Sequence, residues 1–350
     1  MTASRNELLI GDALDRLREL PDDSVDMVLT SPPYFRLRNY AARGQIGLEP
    51  HVDQWVDQLA DISAEIRRVL VPTGTFWLNL GDTYSTHHSQ GANRKSLLMA
   101  PERLALRLQQ TGWIIRNKIV WAKTNPMPTS IKDRLSCSYE PIYVFAKQPT
   151  YFFDLDAIRQ PHRSALSKPS AMKQRGDESW RGPNADSERG LDALKAQGLV
   201  GHPLGKNPGD VWQLSSSNYR GAHHATYPVT LARRAIQAGC PEARCAHCLL
   251  PWRRRVIRAI GGTAVRASLA PTCDCDAPRE PGLVLDPFIG SGTTAVAAEE
   301  LARDWLGVEL NPDFAAMARQ RISDAREGRE VPNKPHQRDD TRAGPEERAA

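Results

Sequence analysis

Short runs of branched aliphatic and aromatic residues alternate along this chain with stretches of helical periodicity, and few architectures accept that alternation. Seven runs read as strands: Glu7–Ile10, Val25–Thr30, Thr75–Leu80, Ile114–Lys123, Glu140–Lys147, Leu283–Phe288 and Asp304–Leu310. Between them lie helical patterns at Ala13–Leu20, Val52–Val71, Ser96–Gln110, Thr230–Ala238, Thr293–Arg303 and Asp313–Arg326. In the second of these, Val56, Leu59, Ile62, Ile66 and Leu70 recur at steps of three and four, forming one apolar stripe. The strands are almost continuously apolar, as they are when helices cover both faces of a sheet. The pattern predicts an α/β fold built on a mostly parallel seven-stranded sheet.

Composition narrows the class. With 350 residues, 40% of them hydrophobic and 25% charged, the chain can bury a core as one large domain with insertions or as two domains. No stretch approaches the roughly 18 apolar residues of a membrane span, and the amino terminus carries acids where a secretory signal needs an apolar run. The expected location is cytoplasmic, where the six cysteines read as metal ligands or buried thiols. The net charge is +5, and the interval 249–272 alone holds Arg253, Arg254, Arg255, Arg258 and Arg266 without one acid. Such a patch is the footprint of a protein that meets phosphate backbones, although a solvated face has the same composition. Residues 160–206 are rich in Ser, Pro, Gly and basic residues and read as a long insertion. In the tail 326–350 the charges cancel, and disorder is expected there.

Two constellations carry chemistry. Thr30-Ser31-Pro32-Pro33-Tyr34 directly follows the apolar run Val25–Leu29. Two prolines remove two donors and fix φ, so the corner is stiff. The loop after the carboxyl end of a parallel strand is where ligands bind. A hydroxyl, a free carbonyl and an aromatic face suit a planar group bearing an NH2. Ser31 and the Pro32 carbonyl can accept its two N–H bonds while Tyr34 stacks on the ring; the same residues also make an ordinary turn.

The other constellation, Asp286-Pro287-Phe288-Ile289-Gly290-Ser291-Gly292-Thr293-Thr294, links a strand to a helix through a glycine turn, which permits close backbone approach to a ligand. No Lys follows the second glycine, so it is not a phosphate loop. It also lacks the three-glycine dinucleotide fingerprint. Glu309 ends the next strand, placed to accept bonds from ribose hydroxyls. A nucleoside cofactor without phosphates fits both features, and a packing turn is the plain alternative.

Together these motifs resemble those of the S-adenosylmethionine-dependent exocyclic-amino DNA methyltransferases. The likeness is to the permuted class, in which the SPPY-type motif precedes the DPFxGSGTT motif, as Ser31–Tyr34 precedes Asp286–Thr294 here. It extends over roughly residues 5–160 and 205–325. It implies a Rossmann-like sheet and direct methyl transfer to the amine of a flipped base, with Ser31, Pro32, Pro33 and Tyr34 at the reacting centre. It further implies that Asp286, Pro287, Phe288, Gly290, Ser291, Gly292, Thr293 and Thr294 approach the cofactor, with Thr30 and Asn311 beside them. Glu309 would hold the ribose and Asp12 the adenine amine, and His224 and Thr226, in the segment His224–Pro228, would close over the methionine end. Serine at position 31 resembles the cytosine-N4 subgroup more than the adenine-N6 enzymes, although serine occurs in some of the latter. Double-stranded DNA is the implied partner, with a restriction endonuclease beside it and a monomer or dimer as the state. Lys123, in a family-like loop, would flank the DNA, with plain loop structure as the alternative. Relatives acting on RNA or on a protein glutamine place the cofactor motif first. A DNA-binding regulator on a decayed scaffold is the rival of another class, and the intact motifs argue against it.

One feature departs from the family pattern. Cys245, Cys248, Cys273 and Cys275 form two close pairs flanking the basic interval, a spacing that reads as a structural zinc site. The interval, with Trp252 and Val256–Ile260, has enough apolar residues for a hairpin but too few for a core, so metal would supply much of its stability. Cys240 and His247 are spare candidates, and Arg253, Arg254 and Arg255 are candidate DNA contacts. Cys137 is expected to be a small buried residue, and Trp77, Trp113 and Trp121 core residues. The expected layout is a catalytic half at 1–159, a variable insertion and candidate target-recognition region at 160–220, a cofactor-closing segment and helix at 221–239, a zinc-binding insertion at 240–280, a cofactor-binding half at 281–325 and the tail.

Overall fold

A computed structural model describes residues 4–40, 42–161, 202–216, 227–258 and 264–329. In chain order the elements are β1 Glu7–Ile10, α1 Ala13–Arg18, β2 Val25–Thr30, α2 Val52–Val69, β3 Leu70–Asn79, α3 Ala100–Gln110, β4 Ile114–Lys123, β5 Tyr139–Ala146 and β6 Val211–Leu214. There follow α4 Val229–Gly239, β7 Arg244–Cys245, β8 Arg253–Arg258, β9 Ala264–Ala270, β10 Arg279–Glu280, β11 Leu283–Asp286, α5 Thr293–Glu300, β12 Asp304–Glu309 and α6 Pro312–Arg326. Most of the insertion read at 160–206, and the tail beyond 329, lie outside the described residues.

The main sheet has the order β1-β12-β11-β2-β3-β5-β4-β6. All neighbours are parallel except β3 with β5 and β5 with β4. Eight strands therefore stand where the pattern predicts seven. The added strand, β6, is a short, half-exposed edge whose alternation is too brief to register as periodicity; Trp212 anchors it, its ring 6.2 Å from Trp77. Both faces are covered. One core packs α1, α2 and α3 against Val25, Val28, Phe76 and Leu285; the other packs α4, α5 and α6 against Met27, Leu29, Trp77 and Val284. Every residue of β2 is buried, which is why its sequence shows no alternation.

Caps fix the helix starts facing one rim. Asp12 accepts from the backbone N–H groups of Leu14 and Asp15 to start α1, and Asn311 accepts from Asp313 to start α6, with Pro312 following. Trp77, Trp113 and Trp121 are buried as expected. Cys137 is not: it lies exposed in the 124–138 loop, its sulfur 3.8 Å from Arg134 and 3.9 Å from the Tyr84 hydroxyl. That loop joins two strands and packs no core over the cysteine. No helix among the described residues is long and apolar enough to cross a membrane.

Candidate active site

Four adjacent parallel strands end at one rim, and each delivers a polar residue there. β2 ends in Thr30, β11 in Asp286 and β12 in Glu309, while β1 leads into Gly11 and Asp12. The chain turns to opposite sides after β2 and β11, so the sheet opens a crevice between them. The Thr30 hydroxyl spans that junction and donates to Asp286 Oδ1 at 2.6 Å, in the interior. One hydrogen bond thus ties together two corners 256 residues apart in the chain.

Asp286 is the hub of the rim. Its carboxylate also accepts from the Phe288 N–H at 3.1 Å, from the Tyr227 hydroxyl at 3.3 Å and from the Thr294 hydroxyl. Burial pushes its pKa above the usual carboxylate range, and these donors oppose that push. Glu309 accepts from Gly290 N–H at 2.9 Å on one oxygen and from Asn311 N–H at 2.8 Å on the other. Its pKa is likewise raised by burial. Each oxygen retains a second acceptor site for a ligand's hydroxyls.

Beneath this rim lies a cleft of about 860 Å³ including its open mouth. Asp12, Ser31, Pro33, Asp286, Pro287, Phe288, Gly290, Ser291, Thr293, Glu309 and Asn311, all singled out from the sequence, line it. So do Tyr227, from the segment His224–Pro228, and Tyr40, Gln45 and Phe314, which no motif marks; Tyr40 and Phe314 meet edge-on at 6.3 Å. Others of the expected residues stand behind the wall. Thr30 and Thr294 spend their hydroxyls on Asp286. Gly292 starts α5 at φ +83°, where a Cβ would come within 3.1 Å of Ala318, so its smallness serves the packing of α5 on α6. Ser291 is on the wall itself, with its hydroxyl held by buried Arg321. His224 and Thr226 lie outside the described residues.

The proline corner is braced from several sides. Trp55 Nε1 donates to the Pro33 carbonyl at 2.9 Å, and the Thr83 hydroxyl donates to the Phe35 carbonyl at 3.1 Å. The Tyr34 ring lies so close to Gly81 that a Cβ there would come within 2.6 Å of it. Its hydroxyl accepts from Ser31 at 3.0 Å, donates to Glu140 Oε2 at 2.7 Å and faces Asn79 Oδ1 at 3.2 Å. Burial, and then the Glu140 charge, push the Tyr34 pKa well above its ordinary value. Lys123, expected beside DNA, reaches Glu140 Oε1 at 2.5 Å and lies 5.0 Å from the centre of the Trp121 ring. The register of β4 against β5 brings it there.

The four cysteine sulfurs of Cys245, Cys248, Cys273 and Cys275 lie within 4.8 Å of one another. Tetrahedral zinc–thiolate bonds of about 2.3 Å would place sulfurs about 3.8 Å apart, so the set fits such an ion. Backbone N–H groups of Cys248 and His247 hold the Cys245 thiol down to about 6. Cys240 is not in the group; it is buried at the end of α4, with its thiol pushed up by burial. The expected hairpin forms as β8 and β9.

The module sits at the other end of the strands. Arg244 donates to the Ser24 carbonyl at 2.8 Å and to Asp26 Oδ2 at 2.9 Å, and pairs with Glu280 at 2.8 Å. Asp26 Oδ2 also accepts from Leu283 N–H at 2.8 Å. These groups mark the amino ends of β2 and β11, roughly 10–15 Å of strand away from the cleft. Of the three arginines read as DNA contacts, Arg254 pairs with Glu242 at 2.6 Å, and Arg253, though exposed, lies 4.9 Å from the centre of the Phe152 ring. Arg255 is exposed.

A crevice at the carboxyl ends of parallel strands, joining a stiff proline corner to a glycine turn, is the architecture of the Rossmann-like methyltransferases. Residues 25–320 match the model of the N6/N4 DNA methylase family, and the chain belongs to it. It is 30% identical over 337 residues to the type II methyltransferase M.SmaI of Serratia marcescens, covering 90% of each chain. It is 42% identical over 410 residues to M.SfiI of Streptomyces fimbriatus, covering 88% of each. Among solved structures, the PvuII DNA methyltransferase, described as cytosine-N4-specific, aligns with a TM-score of 0.55 at 20% identity, over 93% of both chains. A protein of Thermus thermophilus, described as a candidate DNA modification methylase in complex with S-adenosyl-L-methionine, aligns with a TM-score of 0.50 at 23% identity, over 92% of this chain and 96% of that one.

Proposed function

We propose that this DNA methyltransferase uses S-adenosyl-L-methionine to methylate the N4 amine of cytosine in double-stranded DNA, and that it has the permuted motif order. The observation that carries the reading is the Thr30–Asp286 bond, which puts Ser31 and the glycine turn on the walls of one cleft. The cofactor supplies an electrophilic methyl group on a sulfonium. Glu309 accepts from ribose hydroxyls, Asp12 from the adenine amine, and the Gly290 turn admits the methionine end. Ser31 Oγ and the Pro32 carbonyl accept the two N–H bonds of an amine whose lone pair is otherwise spread into its ring. Positioning and charge stabilisation do the work, without a covalent enzyme–base bond. A serine at position 31 in place of an acid or amide favours cytosine over adenine. A partner endonuclease completes a restriction–modification pair in this reading.

The cysteine module holds one structural zinc ion on Cys245, Cys248, Cys273 and Cys275. Four thiolates leave no open position, so the ion has no part in methyl transfer. Metal analysis of purified protein is expected to find one zinc per chain, absent from a Cys245→Ser/Cys273→Ser variant. For the activity, mixed-sequence DNA is incubated with methyl-labelled cofactor and digested for nucleoside mass spectrometry. Labelled N4-methylcytosine is expected. Labelled N6-methyladenine reassigns the base, and DNA binding without any labelled nucleoside replaces the enzyme with a regulator.

A further inference from the structure

The transferred methyl brings the sulfonium's positive charge onto the target amine, so a proton must leave that nitrogen before a neutral base is released. We propose that Glu140 is the terminal acceptor of that proton, reached through the hydroxyls of Ser31 and Tyr34. The inference rests on the reading of Ser31 as acceptor of an amine N–H. Ser31 is on the cleft wall, and the half-buried Tyr34 and Glu140 follow it along a line of hydrogen bonds. The hydrogens along this line point one way: Ser31 Oγ donates to Tyr34 Oη at 3.0 Å, and Tyr34 Oη donates to Glu140 Oε2 at 2.7 Å. Ser31 Oγ is therefore left with its lone pairs for an amine in the cleft.

The balance closes within these groups. The bond from nitrogen to methyl carbon forms as the carbon–sulfur bond breaks, and its electron pair stays on sulfur. The amine proton passes to Ser31 Oγ, the Ser31 proton to Tyr34 Oη and the Tyr34 proton to the Glu140 carboxylate. The products are a neutral methylated amine, a neutral thioether and a protonated Glu140, which then exchanges with solvent. Asn79 is the other group at the Tyr34 hydroxyl, at 3.2 Å, but it is a neutral amide whose Nδ2 donates to the Pro141 carbonyl at 3.2 Å. It cannot take a proton. Lys123, at 2.5 Å from the far oxygen of Glu140, holds the carboxylate in place and leaves Oε2 to Tyr34.

The test is single-turnover methylation with saturating labelled cofactor and DNA. A glutamine at position 140 keeps the shape and still accepts the Tyr34 hydrogen bond, but it cannot become neutral by taking a proton. Glu140→Gln is expected to lose about 10²-fold or more in the single-turnover rate, while the dissociation constants of cofactor and DNA and the melting temperature stay near wild type. Glu140→Asp recovers part of the loss. Tyr34→Phe, which cuts the line, falls by a similar factor, and the double variant falls no further than the worse single one. A Glu140→Gln rate within threefold of wild type, or fully additive losses, overturns the relay. Wild-type protein that labels no amine at all overturns the methyltransferase reading instead, so the two failures are distinct.

Discussion

The cleft and the cysteine module occupy opposite ends of the same strands, and they are assembled by opposite means. The cleft gathers residues 11 to 314 from four strand ends, two helix starts and the loop around Tyr40, so it exists only when the whole sheet is in register. The module draws on one stretch of chain whose cysteine pairs close on each other. It reaches the rest of the fold through a few charged contacts, among them Arg244 to Asp26 in β2 and Arg266 to Asp154 in the loop after β5. A site made by topology is hard to alter at one point without disturbing several elements. A clipped-on module can be loosened by removing a single anchor.

The largest effect is expected at the cleft's hub. Asp286→Ala leaves the Thr30 hydroxyl, the Phe288 N–H and one of the two mutually bonded hydroxyls of Tyr227 and Thr294 without an acceptor. At about 1–3 kcal/mol for each buried unsatisfied group, the loss of several kcal/mol abolishes methylation and lowers the urea midpoint sharply. A variant that stays active would show that the two corners hold together without their shared carboxylate.

Next comes the module's anchor. Arg244→Met strands Asp26, which burial already pushes up to about 6, without its cation. A destabilisation of about 3–5 kcal/mol is expected, measured by denaturant unfolding. Raising the pH from 5 to 8 should deepen it, because the unpaired buried acid must then ionise. Cofactor affinity at a temperature where the variant is folded should change less than threefold; a larger change would mean that the two ends are coupled through β2.

A smaller effect separates binding from stability at Glu309. Burial raises its pKa above the ordinary 4.5, so on acidification it takes up a proton earlier in the folded than in the unfolded chain. Relative to Glu309→Gln, cofactor affinity should therefore begin to fall while the pH is still above 4.5, as the acceptor oxygens are lost. Stability should move the other way: the native state binds more protons in this window, so this group's contribution rises as the pH falls. Calorimetric titration of the cofactor and urea midpoints across pH 4–7 read the two trends. Parallel trends would remove Glu309 from the cofactor site.

The smallest effect is expected from the module's charge. Arg255→Gln should leave the salt dependence of DNA binding unchanged, because the β8–β9 hairpin belongs to a module anchored at the amino ends of the strands, opposite the cleft. A slope reduced by about one would bring DNA to the module after all.

Much of this is legible along the chain. Most strand positions agree within a few residues, because an apolar run shows its burial locally; β3 differs, starting at Leu70, which the periodicity reads as the last residue of the α2 stripe. Proline and glycine corners are legible because they restrict or release the backbone at single positions. The residues that sequence reasoning misses have no such local mark. Glu140 lies in a strand like any half-buried acid, and Tyr40 and Phe314 sit outside every motif. Lys123 looks like a loop cation until β4 is laid against β5. The β6 strand is too short to carry a period.

By itself, then, the order of residues determined the layered α/β class, the two chemical corners and the four-cysteine spacing, since each depends on interactions within a few positions of the backbone. Only the assembled sheet decided that β2 lies beside β11, that Thr30 meets Asp286, and that the basic module stands at the far rim. Those outcomes depend on which faces can be buried together, and that is a property of all the strands and helices at once.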